Sequence, residues 1–509
     1  MLWGTWMTAN ICMWMTDVAA AWMMTSLTSS PMWVALVQTA ATLPVFLLGL
    51  PSGAFADILN RRRYFMATQF WIAVVASALC VVVMAGLLTP VLLLAMCFAN
   101  GIGLAMRWPV YAAIVPDLVP RPQLPAALAL NGVAMNTSRI VGPLVAGAII
   151  ASAGSAYVFL LNAALSVATG LVIMRWKHEQ VPSPLGRERL SSAIRVGVQY
   201  VRLSDPMKAV LLRIALFFFH STALLALLPL VARGMQGGAG TFTLLLASLG
   251  SGAIVTTLFL PRIRQRMSSE TMVLRGTLLQ AAAMAVVALA PNAYLAVPAM
   301  FVAGIGWIAT ANSLTVAAQL ALPDWVRARG MSIYQMAVMG AGALGAALWG
   351  QVATVSSVAT SLLVAAASGA VAMMIVHGRL AGRGQQDDPT PAGEFRLPEV
   401  AAPPGPGRVE MTIEYCIDPG QATEFCALMQ ESRRSRLRQG ALAWELLRDS
   451  AHSGRYVERI VDESWAEHLR RLSRITTADV ALRERKLAFH IGSAAPVVRR
   501  FIGESALHS

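Results

Sequence analysis

Charge is scarce in this chain. Only 13% of its 509 residues are Asp, Glu, Lys or Arg, against about 25% in an ordinary soluble domain. Hydrophobic residues make up 56%, and the mean hydropathy is +0.60. A wholly soluble protein is therefore excluded, because so much apolar surface has to face lipid. Acid is scarcer than base: 26 Asp and Glu stand against 40 Lys and Arg, a net charge of +14. That balance alone would suit a polyanion. The arginines, however, sit in short loops between apolar runs and in the C-terminal region, which suits a membrane face and argues against nucleic acid. Cysteine is also sparse. Cys12, Cys80 and Cys97 lie in apolar runs and Cys416 and Cys426 near the C-terminus. No spacing suggests zinc and no paired framework suggests a secreted scaffold, so neither a metal nor a cofactor is expected. The first apolar run lacks a basic leader and a small-residue cleavage site, and is expected to stay as a helix.

What is present is a series of long apolar runs. A bilayer core takes about 20 apolar residues per helix. Runs of that kind fall near Leu2–Ser26, Trp33–Ala56, Tyr64–Leu88, Val91–Val115, Leu124–Ala151, Tyr157–Trp176, Lys208–Val231, Thr241–Leu260, Thr271–Ala290, Tyr294–Leu322, Gly330–Val352 and Ser357–Val376. Twelve membrane helices are expected. Alternate loops carry Arg61, Arg62, Arg63, Arg121, Lys177, Arg187, Arg189, Arg195, Arg262, Arg264, Arg266, Arg327 and Arg329, while the intervening loops are nearly bare, Arg233 excepted. Basic loops stay inside, so both termini are expected in the cytoplasm of a multi-pass protein of the inner membrane. The chain also repeats itself. A shift of 203 residues lays Gly49 on Gly252, Arg61 on Arg264, Gly101 on Gly304, Gly103 on Gly306, Gly142 on Gly345 and Gly147 on Gly350. Asp57 falls on Leu260, so the halves differ in charge.

One stretch joins the second and third runs: Gly53-Ala-Phe-Ala-Asp57-Ile-Leu-Asn60-Arg61-Arg62-Arg63. It resembles the cytoplasmic loop signature of the major facilitator superfamily, matching at Gly53, Asp57, Arg61 and Arg62; Asn60 replaces the second glycine and Ile58 the usual basic residue. Gly142-Pro143 with Gly147 resembles the fifth-helix motif of that superfamily's antiporter branch. Two six-helix halves in parallel repeat are a known form of that superfamily. Three further passages resemble its enterobactin-exporter-like branch, the transmembrane secretion effectors. These are Trp14 to Leu27, Arg107 to Pro120 and Glu463 to Leu469. The resemblance covers nearly the whole chain. It implies an all-α membrane protein that exports small molecules, siderophore-like or hydrophobic and drug-like, by proton antiport.

The expected domains are residues 1–176 and 208–379 as six-helix bundles, 177–207 as a linker, 380–407 as a Pro/Gly-rich linker and 408–509 as a soluble domain. In the first linker, Leu190 to Arg202 places Ile194, Val198 and Val201 on one side. It reads as a helix lying along the membrane surface with Arg195 and Arg202 near headgroups. From Val409, period-two alternation marks a strand. Asp418-Pro419 opens a helix, a hairpin crosses His452 to Gly454, Ser464 with Glu467 caps a second helix, and a last strand is expected at Pro496–Ile502. That order, β-α-β-β-α-β, is ferredoxin-like. With Trp465 and His468 the domain looks like the small antibiotic-biosynthesis monooxygenase barrels, which pair as dimers.

Ionisable groups inside a bilayer are costly and are functional candidates. Asp17, Arg107, Arg139 and His220 are the candidates for proton coupling. Asn10, seven residues before Asp17, and Asn100, seven before Arg107, share their helix faces. With Asn136 and Asn312 they are candidates for the substrate cavity, which the resemblance places among the first, fourth, seventh and tenth helices. Asp17 either couples proton movement or forms a structural ion pair with Arg107 or Arg139. The partners expected are the lipid bilayer, protons and a small-molecule substrate. An importer of the same fold, and a transporter fused to a monooxygenase-like domain, stand as alternatives.

Overall fold

The computed structural model describes residues 2–118, 123–176, 190–235, 238–380 and 407–503. The linker 380–407, and the loop charges Arg121, Lys177, Arg187 and Arg189, fall almost entirely or wholly outside them. The chain divides into two compact units. One comprises Met1–Gln180, Val210–Ala317 and Ser332–Ala381; the other comprises Val181–Ala209, Ala318–Met331 and Gly382–Ser509.

Helices dominate residues 2–380: α1 (Leu2–Leu27), α2 (Pro31–Ile58), α3 (Arg61–Met84), α4 (Pro90–Leu118), α5 (Leu124–Ser152), α6 (Ser155–Arg175), α7 (Leu190–Leu203), α8 (Asp205–Gly234), α9 (Ala239–Arg266), α10 (Ser269–Leu289), α11 (Ala293–Leu320), α12 (Asp324–Val355) and α13 (Val358–Leu380). Among the described residues, ten are long and apolar enough to cross a membrane. The other two long helices are α1, which carries Asn10 and Asp17, and α5, whose apolar part is Thr137–Ser152. Several helices outrun the apolar runs that announced them. Arg262, Arg264 and Arg266 close α9, and Arg327 and Arg329 belong to α12, because a helix satisfies its own backbone on both sides of an interface.

Glycine sets the helix crossings, and the sequence repeat reappears in them. Gly147 on α5 leaves no room for a Cβ against Thr243 of α9, and its repeat mate Gly350 on α12 leaves none against Ala35 of α2. Gly142 abuts Trp14 and Ile11 of α1, and Gly345 abuts Phe219 of α8. Gly101 sits on the Ala41 carbonyl of α2, and Gly304 on the Leu249 carbonyl of α9. Small residues let helix backbones approach within van der Waals reach where no hydrophobic drive exists between helices in lipid. Gly101 and Gly142, like Gly304 and Gly345, pack within their own half, whereas Gly147 and Gly350 each meet a helix of the other half.

In the second unit, β1 (Val409–Cys416) leads through a 3-10 turn at Pro419–Gln421 into α14 (Ala422–Arg438). Then come β2 (Ala443–Arg448), β3 (Arg455–Asp462), α15 (Trp465–Leu472), α16 (Thr477–Leu487) and β4 (Val497–Ile502). The four strands are antiparallel in the order β2-β3-β1-β4. Asp418 caps the 3-10 turn by accepting from the Gly420 amide at 3.0 Å. Ser464 caps α15, accepting from the Glu467 amide at 3.3 Å. The apolar core lies on one face of the sheet, where Met411, Ile413, Tyr415, Phe425, Met429 and Ile460 pack together. Beside it is a buried polar knot: Glu458 accepts from Lys486 Nζ (3.1 Å), Ser432 (2.8 Å), Trp444 Nε1 (2.9 Å) and Tyr415 Oη (3.2 Å).

Helix α7 is covered by protein along part of its length. Arg195 does not stand free for headgroups. It pairs with Glu463 at 3.2 Å, and the Val196, Tyr200 and Val201 side chains are buried by protein.

Candidate functional site

Helix α1 carries Trp6, Asn10, Met13, Trp14 and Asp17 at offsets of four, seven, eight and eleven, which at 3.6 residues per turn is one stripe. Arg107 of α4 reaches this stripe. It is 1% exposed, its Nη1 donates to the Ala9 carbonyl at 3.0 Å, and its Cζ lies 5.4 Å from the Trp6 ring. Trp6 in turn stacks on Tyr111, centroids 3.8 Å apart. Arg139 of α5 lies 5.4 Å from the Trp14 ring. A ring face offers a guanidinium about 0.5–2 kcal/mol, far less than the cost of burying it. The Nε atoms of Arg107 and Arg139 and the Oδ1 of Asn10 are buried with no hydrogen-bond partner among the described residues.

Asp17 lines a small cavity with Thr16, Met96, Cys97, Asn100 and Asn162, whose remaining walls are apolar residues of α1, α2 and α3. The space suits about one water molecule. Every lining residue belongs to the first six long helices. Among the described residues Asp17 makes no hydrogen bond, and neither Arg107 nor Arg139 lies within ion-pair distance of it. The structural ion pair considered for Asp17 is thus absent from this structure, although Arg107 is near enough to act on it through space.

The other candidates divide. Asn100 shares the cavity with Asp17, and Asn10 shares its stripe. Asn312 does not join them, because Arg264 of α9 donates to its Oδ1 at 2.6 Å. His220 is half-buried on α8, with Nδ1 2.8 Å from the Leu216 carbonyl and its ring beside Phe219 and Trp349. Arg213, on the same face, pairs with Glu270 at 3.1 Å. The side chain of Asn136 lies outside the described residues, as does that of Asp57. Gly53 and Asp57 fall in the last turns of α2, so the joining segment shrinks to Leu59-Asn60. Asn60 explains its departure from the signature: it is the N-cap of α3 and accepts from the Arg63 amide at 3.1 Å. Arg62 donates to the Met174 carbonyl at the end of α6. Pro143 lies inside an uninterrupted α5, and Gly142 and Gly147 serve the crossings described above.

Sequence reasoning missed one group. Asn162 of α6 donates to Thr16 at 2.7 Å, and Ser166 donates to Asn162 Oδ1 at 3.0 Å. The available signal was the i, i+4 pairing of Asn162 and Ser166 on an otherwise apolar helix.

A family model described as transmembrane secretion effector matches residues 1–507. The chain belongs to that family. It is a multi-pass membrane transporter of the major facilitator type. The Staphyloferrin A transporter of Staphylococcus aureus (strain NCTC 8325 / PS 47) is 22% identical over 254 residues, 49% of this chain and 63% of the relative. The match therefore spans less than two thirds of that relative's length. Among solved structures, a POT family transporter in complex with thioalcohol conjugated peptide has a TM-score of 0.61 at 12% identity, covering 75% of this chain and 96% of that one. The nucleoside transporter NupG gives 0.59 at 13%, covering 74% and 97%. A bacterial homolog of the human lysosomal transporter Spinster gives 0.56 at 15%, covering 74% and 94%. At such identities these structures share the fold of this secretion effector.

Proposed function

We propose that this secretion effector exports a small molecule, siderophore-like or hydrophobic and drug-like, across the cytoplasmic membrane by alternating access of two six-helix halves coupled to proton antiport. The observation that carries the reading is Asp17: a carboxyl on a small cavity in the apolar interior, with no hydrogen-bond or ion-pair partner among the described residues. Burial favours the protonated form of such a group and a nearby guanidinium favours the ionised one. A change of facing that alters the distance to Arg107 therefore takes up or releases a proton. The family's description and the siderophore transporter among its relatives support export and the substrate class. Arg62 on the end of α6, with Asn60 capping α3, supports a gating role for the Gly53, Asp57, Arg61 and Arg62 turn on the cytoplasmic side. We read the soluble domain, with strand order β2-β3-β1-β4, as ferredoxin-like and able to pair with a second copy.

The test is efflux profiling in a host lacking its own pumps, with an ionophore control, followed by Asp17→Asn in everted vesicles. The variant is expected to insert normally and to lose efflux driven by the pH gradient. Undiminished antiport in that variant would overturn the coupling role and leave the family assignment intact.

A further inference from the structure

Helix α7 is held from two sides within the second unit. Ser192, Arg195 and Gln199, at offsets of three and seven, form one face, and all three grip the soluble domain. Ser192 Oγ donates to Glu463 Oε2 at 2.7 Å, and Arg195 pairs with the same oxygen at 3.2 Å. Gln199 Nε2 donates to the Ala441 carbonyl at 3.0 Å. Between these bonds lies Gly440, at φ +113°, where a Cβ would press on Val196 of α7 and on Arg474. The opposing side of α7 grips the turn between α11 and α12. Tyr200 Oη donates to the Ala321 carbonyl at 3.1 Å and packs edge-on against Trp325, centroids 5.7 Å apart. Gly197 leaves a Cβ no room beside Arg329. The circle closes through Arg474 of the soluble domain, whose Cζ lies 4.5 Å over Trp325 and whose Nη1 donates to the Gln439 carbonyl.

We propose that the soluble domain is a clamp rather than a tethered module: it fixes α7 to the α11–α12 turn, with Glu463 as its release point. Three stretches far apart in the sequence, 190–203, 321–329 and 439–474, meet through these side chains. By chain continuity α7 runs into α8 through Ser204, and the turn joins α11 to α12. The clamp therefore makes the entries to α8 and α12 and the exit of α11 a single piece. Any rearrangement of those helices against one another has to open the Tyr200 contacts and, with them, either the Glu463 contacts or the Arg474–Trp325 contact. Glu463 directly precedes Ser464, the cap of α15, so its carboxylate is held in place by a capped helix. The partly exposed pair, each side chain 30% accessible, is the part that water and salt can reach.

The test is made on the full chain in detergent, with a site-specific protease sequence placed within residues 381–406. After cleavage, the fragment beginning near residue 407 is expected to stay with the membrane portion at physiological salt. Arg195→Glu is expected to speed its release about tenfold or more, since charge-assisted hydrogen bonds contribute about 1.5–3 kcal/mol. Arg195→Glu combined with Glu463→Arg is expected to restore retention. Should Arg195→Glu prevent folding, the milder pair Ser192→Ala and Gln199→Ala is expected to give the same faster release. Prompt loss of the fragment from the unsubstituted chain on cleavage would overturn the clamp, as would release rates that none of these substitutions moves.

Discussion

Replacing Lys486 by Met is expected to invert the pH response of the C-terminal domain. Burial raises the proton affinity of Glu458, but the charges of Lys486 and Arg436 and the bonds from Trp444 and Ser432 outweigh it and bring the carboxyl from 4.5 to about 2. A carboxyl depressed by that much contributes about 3 kcal/mol of stability above pH 4.5, lost as pH falls toward 2. Burial also lowers Lys486, from 10.5 to about 8 against the pull of Glu458, so a comparable cost sits on the other partner. The pair as a whole then adds little, as buried ion pairs generally do. Removing one member is different. With Met at 486, Glu458 keeps its burial and loses its nearest cation, at a cost of about 3–5 kcal/mol at neutral pH. Burial is the largest influence on Glu458, so even with Arg436 and the Trp444 and Ser432 bonds still in place its proton affinity is expected to rise above that of the unfolded chain, and protonation should then stabilise the variant. Stability should increase as pH falls from 7 to 5.5, where the unsubstituted domain shows no gain. Amide hydrogen exchange on peptides from 409–503 of the full chain, corrected for intrinsic rates, reads both effects. A loss of core protection of about a hundredfold to a few thousandfold is expected at pH 7, partly recovered at pH 5.5. Lys486→Met with Glu458→Gln should lie within about 1–2 kcal/mol of the parent, because both charges leave together. The reasoning fails if the single variant keeps full protection at pH 7, or loses more of it on acidification.

Further outcomes follow from the same geometry. Gly147→Leu and Gly350→Leu insert side chains at repeat-related crossings with no room for a Cβ. Each is expected to abolish transport while membrane insertion persists, measured by vesicle flux and by protein recovered from membranes. Asn60→Ala removes the side-chain acceptor of the α3 cap and should destabilise its first turn by about 1 kcal/mol, whereas Asn60→Asp should keep most of the protection; exchange of the Arg62 to Tyr64 amides reads it. Reporter fusions after residues 63 and 266 should both report the cytoplasmic side.

Much of this molecule was legible because lipid leaves few choices. Backbone polar groups must be satisfied inside each span, so apolar run length predicts helices; the repeat glycines were visible too, but partners such as Thr243 for Gly147 were not. The C-terminal strands were legible from period-two alternation and caps. The surroundings of α7 were not. An amphipathic helix gives the same signal whether lipid or protein covers it, and the covering groups here, Glu463, Gly440 and Trp325, lie more than a hundred residues downstream. The Asn162–Thr16 bond was hidden for a similar reason: a single polar residue in a span declares no partner. Asn60 was read as a defect in a motif, and its backbone geometry shows it to be the cap that the next helix requires.

The two halves match in glycine and differ in charge, and that asymmetry separates the proposed functions. The first half carries Asp17 with Arg107 and Arg139 at its core, none of them in an ion pair among the described residues. The second half has Leu260 where the first has Asp57, and its Arg264 is spent on Asn312. Its helices α8, α11 and α12 are instead the ones that run into the segments gripped by the soluble domain. Proton coupling and the clamp should therefore fail independently. Asp17→Asn is expected to remove the pH dependence of efflux and leave the exchange rates of α7 amides unchanged. Arg195→Glu is expected to raise α7 exchange and to leave unchanged the pH at which residual efflux is half-maximal. Sites with no shared partners combine additively to within about 0.3–0.5 kcal/mol, so the double variant should show both defects at their single-variant size. A shift in the pH midpoint caused by Arg195→Glu would mean that the acid in the first half responds to the clamp on the second, and the division drawn here would be wrong.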